Sequence, residues 1–184
     1  MAAPIRRVVT GHDETGKAVR VLDGAASNVR VRAASGGLVS TLLWVTEETP
    51  ADISGIIDRA DREIGVAPPR FGSAFRIVDF PPTAGVAAMD NAAVVREMGI
   101  GQTGGGAPVR HPLMHRTRSI DYAVVISGEI DMLLDDSEIH LRAGDALIQQ
   151  GTNHAWVNRG TETCRIAFVL IDANDPPQTP NANP

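Results

Sequence analysis

The sequence predicts an all-β fold, a sandwich or barrel with one or two short helices. Eight or more short runs rich in β-branched and aromatic residues recur along the 184 residues. The segments between them are supplied with 18 Gly and 12 Pro, the residues that turn a chain between strands. Helical periodicity is confined to one stretch of the N-terminal half.

In chain order, IRRVVT (5–10) and AVRVL (18–22) flank the turn GHDETGK and predict a hairpin. A second pair, NVRVR (28–32) and LVSTLLWVT (38–46), is separated by AASGG. In DISGIIDRADREIG (52–65), Ile53, Ile56, Ile57, Ala60 and Ile64 recur at helical spacing and Gly65 fits a C-cap, which predicts a short amphipathic helix or lid. VAPPRFG is a loop, and AFRIVDF (74–80) is a strand stopped by Pro81 and Pro82. Residues 83–98 fit neither pattern. The glycine-rich 99–108 is a turning loop and no phosphate cradle, because no GK[ST] follows it. Two β-rich runs, 120–134 and 145–158, are joined by a polar turn and a Gly-Asp step, and 164–171 closes the fold. Residues 1–172 are expected to form one domain, with N-terminal strands within 1–98 and a motif-bearing core at 111–158; 173–184 has the composition of a loose tail.

Composition narrows the partners. A net charge of −5 and a pI near 5.5 argue against a nucleic-acid ligand. No run of eighteen apolar residues exists to cross a membrane as a helix. MAAPIRRVVTGHDE has no apolar leader core, and the single Cys164 cannot form an internal disulfide, so a cytoplasmic protein is expected. Cys164 itself, within CRIAFVLI, reads as a small buried hydrophobe.

Four of the five histidines lie in 111–158. Side chains alternate along a strand, so His115, Thr117, Ser119 and Asp121 share a face with Ala123 and Val125. With the small apolar pair inward, the polar set stands at the inner mouth. On the returning strand His154, Trp156 and Asn158 share a face. Antiparallel folding would bring His115, His154 and Asp121 together. Two imidazoles and a carboxylate are the set that holds iron(II) with open positions for substrate. His111 has the same parity as His115 and could add a ligand, although Pro112 interrupts regular pairing. The same groups could instead be hydrogen-bonded core residues, and periodicity alone leaves both readings open. Arg116 could clamp a substrate carboxylate if it bent inward from the opposite parity. Thr117 is a second substrate-contact candidate, and Trp156 a third, as the pocket floor or as core. Tyr122 should pack outward and Asn158 should fix a turn or strand end. His12 and His140, at turn or edge positions, carry no role.

The stretch HRTRSIDY…GE…GD…QGTNHAWVN resembles the cupins, small jelly-roll β-barrels. Their first motif pairs two histidines (HxH) with a following Glu and a Gly; here His115, Thr117, Asp121 and Gly128 occupy those places, with six residues between Asp121 and Gly128. Their second motif is matched by Gly144, Gly151, His154 and Asn158, with Gln149 or Gln150 in place of proline and the Gly144-to-His154 interval one residue short. The wording resembles a bacterial and fungal subgroup whose fungal members include decarboxylase-like and oxidoreductase-like proteins of secondary-metabolite clusters. The resemblance implies a divalent iron, manganese or zinc ion held by His115, His154 and Asp121, with His111 or water completing the set. It also implies no organic cofactor, a small-molecule substrate and a homodimer paired through N-terminal strands. Thr117 for the second His and Asp121 for the longer Glu reduce the usual ligand cup; if the metal is lost, His115, Asp121 and His154 are left as acid–base groups. The expected activity is a lyase step, decarboxylation or dehydration of a small organic acid, with iron-dependent oxygenation or non-catalytic small-molecule binding as alternatives.

Overall fold

The computed structural model describes residues 4–83, 91–99 and 110–175. Eleven strands and one helix run in the order β1 (Arg6–His12), β2 (Ala18–Ala25), β3 (Val29–Arg32), β4 (Leu38–Thr46), β5 (Ser73–Phe80), α1 (Asn91–Met98), β6 (Ser119–Ser127), β7 (Glu129–Leu133), β8 (Glu138–Arg142), β9 (Ala146–Gln150), β10 (Ala155–Val157) and β11 (Cys164–Asp172). β1 and β2 form a hairpin. The other strands make a six-stranded sheet, β3-β4-β5-β11-β6-β9, and a three-stranded sheet, β10-β7-β8. Every pairing is antiparallel.

Alternation along the strands builds the core between the two sheets. β11 buries Cys164, Ile166, Phe168 and Leu170, and β6 buries Ser119, Asp121, Ala123 and Val125. From the smaller sheet Ile130, Met132, Leu141 and Trp156 meet them in one cluster. Phe80, Trp156 and Phe168 pack with centroids 5.6–6.4 Å apart, in tilted and edge-on arrangements. Burying each such ring contributes on the order of 2–3 kcal/mol. Cys164 is fully buried in this cluster as a free thiol, and burial pushes its pKa up to about 11, which leaves it inert.

The run at 120–134 is two strands rather than one. Gly128, at φ 76°, turns the chain between β6 and β7. A Cβ there would sit 2.9 Å from the Cα of Cys164, so only glycine fits. The polar stretch after β7 also holds a strand, β8, which leaves His140 on an edge, 2.8 Å from an Asp131 carboxylate oxygen.

The helix expected at 52–65 does not form. Gly55 adopts φ 77°, outside the right-handed helical region. The Asp52 carboxylate accepts the Ser54 amide, and Asp58 accepts the Ala60 amide while pairing with Arg7 of the hairpin. These local bonds replace helical ones. Ile53, Ile56 and Ile57 stand exposed, and only Ala60 and Ile64 pack inward, on Leu42 and Val45. The helix lies instead at Asn91–Met98, within the stretch that fitted neither pattern, with Val94 and Met98 buried against Leu113, Met114 and Val157. Its last carbonyl accepts the Val66 amide at 3.0 Å, which ties α1 to the 52–66 segment. Apart from Gly99, the glycine-rich loop expected at 99–108 lies outside the described residues, as does the tail beyond 175. No helix among the described residues is long and apolar enough to cross a membrane.

Candidate functional site

The inward face of β6 and the segment before it form one wall of a cavity of about 70 Å³ inside the barrel. As alternation predicts, His115, Thr117, Ser119 and Asp121 are all buried while Arg116 and Arg118 are exposed. His115 and His154 form an isolated antiparallel bridge. Each donates its amide to the other's carbonyl, at 2.9 and 2.8 Å. The bridge sets the two rings side by side with centroids 4.4 Å apart and planes tilted by 46°, and Trp156 meets His154 edge-on at 5.9 Å.

Both rings are held in the same tautomer. The His115 Nδ1 lies 2.8 Å from the Leu113 carbonyl, and the His154 Nδ1 lies 3.0 Å from that of Thr152. A carbonyl only accepts, so each Nδ1 carries the proton and each Nε2 keeps a lone pair. The Gln149 side-chain amide is also 2.9 Å from the His154 Nδ1, as placed through its Nε2, while its Oε1 is buried without a partner. Turning that amide end for end makes Oε1 a second acceptor for the same proton. Burial lowers the pKa of both rings. For His154 it does so together with the neighbouring His115, down to about 3. Both imidazoles are therefore neutral near pH 7.

Asp121 lies deeper on the same face. The Ser119 hydroxyl donates to its Oδ1 at 2.5 Å, and Thr117 Oγ1 lies 2.7 Å from Ser119 Oγ. With Ser119 donating to the carboxylate, Thr117 must donate to Ser119, giving a directed hydroxyl chain. Burial raises the Asp121 pKa to about 6, against the opposing pull of Ser119 and the Arg76 charge. That places it near neutrality, where a carboxylate can both take and return a proton.

The opposite wall carries two residues that sequence reasoning missed. Arg76 on β5 and Arg32 on β3 both line the cavity and are 5% and 7% exposed. In AFRIVDF each parity contains one charged residue, so the pattern does not say which charge faces in. Asp79 takes the outer role, pairing with Arg165 at 2.6 Å, and Arg76 the inner one. In NVRVR the valines are the natural inward choice, yet Val29 and Val31 are 50% and 67% exposed and Arg32 is buried.

The remaining expected residues divide. Thr117 and Trp156 line the cavity. Arg116 does not: it is exposed on the far face of the chain, as its parity dictates, and the expected carboxylate clamp is corrected on that ground. His111 is half-buried outside the cavity lining, in a turn where its Nδ1 accepts the Leu113 amide at 3.2 Å and its carbonyl accepts that of Met114. Asn158 fixes a strand end: its Nδ2 donates to Phe80 and Glu162 carbonyls, both at 2.8 Å, and its Oδ1 accepts the Gly160 amide.

Two adjacent imidazoles with unprotonated Nε2 atoms are suitable metal ligands. A resident ion generally takes three or more protein ligands, and among the described residues no group of three His, Cys, Asp or Glu is arranged to hold one. Asp121 shares the cavity with the histidines without joining them in such a group. The donor set present does not fit the metal cup that the family resemblance implies.

Known proteins are similar to this chain over its motif-bearing stretch and beyond it. Residues 102–171 match the cupin domain model. The chain is 31% identical over 176 residues to the cupin-domain-containing oxidoreductase fogC of Aspergillus ruber, covering 92% of this chain and 73% of that protein. It is 52% identical over 68 residues to the phomopsin biosynthesis cluster protein C′ of Diaporthe leptostromiformis, covering 36% of each. A cupin 2 conserved barrel domain protein from Salinispora arenicola superposes with a TM-score of 0.43 at 16% identity, covering 79% of this chain and 82% of that one. By the extent of the fogC match, the chain belongs to the cupin-domain family.

Proposed function

We propose that this protein is a lyase for small organic acids, working by proton transfer at Asp121 inside the barrel. The observation that carries the reading is a buried carboxylate with a pKa raised to about 6, lining a cavity that two neutral imidazoles also line. In dehydration of a β-hydroxy acid, ionised Asp121 takes the proton from the carbon beside the carboxyl group. The C–H electron pair becomes the new double bond, and the hydroxyl leaves as water with that proton. In decarboxylation of a β-keto acid the bond to the carboxyl carbon breaks and carbon dioxide leaves. The electron pair passes to an enolate, and protonated Asp121 supplies the proton that quenches it. The Thr117–Ser119 hydroxyl chain orients the carboxylate in both cases, and the unprotonated Nε2 atoms of His115 and His154 accept hydrogen bonds from the substrate.

The test is NMR of a panel of short β-hydroxy and β-keto acids with the protein in heavy water. Decarboxylation should place deuterium on the carbon that loses carbon dioxide, and dehydration should yield the α,β-unsaturated acid, each at a rate with an inflection near pH 6, and Asp121→Asn should abolish both. Binding with no loss of water or carbon dioxide from any acid would leave a non-catalytic binder and refute the lyase reading. The name oxidoreductase carried by fogC favours oxidation as the second reading. For this chain it requires a third metal ligand beside His115 and His154.

A further inference from the structure

Most arginine charges among the described residues have an acidic partner: Arg6 with Asp23, Arg7 with Asp58, Arg59 with Asp52, Arg165 with Asp79. The two buried in the cavity wall do not. Among the described residues neither Arg32 nor Arg76 has a carboxylate within ion-pair distance. Glu97, the acid whose charge acts on Arg32, spends its carboxylate on the Ser35 amide and hydroxyl at 3.0 and 2.9 Å. Arg32 itself donates to the Glu97 main-chain carbonyl. Arg76 Nη2 donates to the Gly65 carbonyl at 3.0 Å, and its Nε is buried with no partner at all.

An uncompensated buried charge is costly, and a guanidinium does not escape the cost by losing its proton. Burial and the neighbouring Arg32 push Arg76 down only to about 10, so it is cationic at neutral pH. One acid, Asp121, faces two cations across the cavity. Its pull on Arg76 is the weakest of the influences acting there. The cavity lining thus carries two cations and one acid, and Arg76 brings to it a planar fork whose geometry matches a carboxylate.

We infer that Arg76, with Arg32 beside it, is the anchor for the carboxylate of a short acid, and so sets the specificity of this cavity. The volume of about 70 Å³ holds a carboxylate and a few carbons, on the scale of ~10–15 Å³ of such space for one water. The rest of the wall, with Val78, Phe80, Trp156, Phe168 and Leu170, is apolar and suits a hydrocarbon remainder. Anchored there, the acid lies in the cavity that Asp121 lines. The inference rests on the lyase reading only for the use of this cavity.

The experiment separates the two. NMR titration of the full chain with acetate, propionate and isobutyrate, and with their amides, measures binding without turnover. The carboxylates should bind saturably and at least tenfold more tightly than the amides. Arg76→Met should lose that preference, while the melting temperature of the ligand-free protein stays level or rises, because an apolar side chain replaces an unpaired buried charge. Arg76→Lys, which keeps the charge and loses the fork, should weaken binding at least tenfold and serves if the Met variant does not fold. Asp121→Asn should bind the acids still. Equal affinity for acids and amides, or undiminished binding in the Arg76 variants, overturns the inference. Arg76-dependent binding of these acids, with no turnover of the β-hydroxy and β-keto acids, refutes the lyase reading alone.

Discussion

Replacing Asp121 by Asn should stabilise the protein near neutral pH while removing its proton-transfer group. A rise in pKa from the ordinary 3.8 to about 6 means that the folded state prefers the protonated carboxyl. At about 1.4 kcal/mol for each tenfold change in proton affinity, keeping Asp121 ionised costs about 3 kcal/mol. The residue is 4% exposed, so solvent screening does not reduce this much. The sign follows from which state holds the proton. Below about pH 4 both folded and unfolded chains are protonated and the cost is absent. Between about pH 4 and 6 the unfolded chain has released its proton and the folded one has not, so stability falls as pH rises. Above about pH 6 both are ionised and the full cost remains. The neutral amide of the Asp121→Asn variant resembles the protonated acid and can still accept from Ser119. Melting curves of both proteins from pH 4 to 8 should therefore diverge as pH rises and run parallel above about 6. The variant should then be higher by roughly 6–12 °C, taking 2–4 °C per kcal/mol for a chain of this size. A variant less stable at every pH, or a gap that widens toward acid, would refute the assignment of a desolvated carboxylate.

Two further outcomes test the surroundings of the site. Thr117→His adds an imidazole to the cavity that His115 and His154 line; equilibrium titration with iron(II), zinc(II) and manganese(II) should show tighter retention than wild type, and absence of binding in both proteins would end the metal reading. We propose a homodimer, because β3 leaves an edge of the large sheet open with Val29 and Val31 exposed, and because an open groove of about 770 Å³ beside the hairpin is lined by apolar residues including Trp44, Ile53, Ile56 and Phe75. Light scattering should give twice the 19.5 kDa chain mass, and a monomer mass at micromolar concentration would contradict it.

How much of the fold was legible depended on the length of each signal. β4, β5, β6 and β11 run for eight or nine residues each, long enough for strand character to stand out. β8 holds only Ile139 and Leu141 as apolar residues among charges, and so reads as part of a turn. α1 is two turns long, and its two buried side chains, Val94 and Met98, make a single i, i+4 pair. The false helix at 52–65 had the better periodicity. Ile53, Ile56 and Ile57 met no core surface to pack on, and Asp52, Gly55 and Asp58 offered the backbone cheaper local bonds. Hydrophobic spacing states what a segment could bury, and only the rest of the chain decides whether it is buried.

The site divides along the same line. The face shared by His115, Thr117 and Asp121 was readable because it continues into Ala123 and Val125, whose inward direction fixes the phase of the whole strand. The pairing of His115 with His154 followed from folding that segment on its return. Arg32 and Arg76 have no such marker, since a buried charge contradicts the rule by which phase is assigned. Their inward direction emerges only when β3, β4 and β5 are placed beside β11, whose own phase is unambiguous. Phe168 on β11 lies opposite Arg76 in the ladder, and Phe168 is core. Register therefore commits Arg76 to the inside whatever its charge, and the cavity beside it is where that charge can find a counterion.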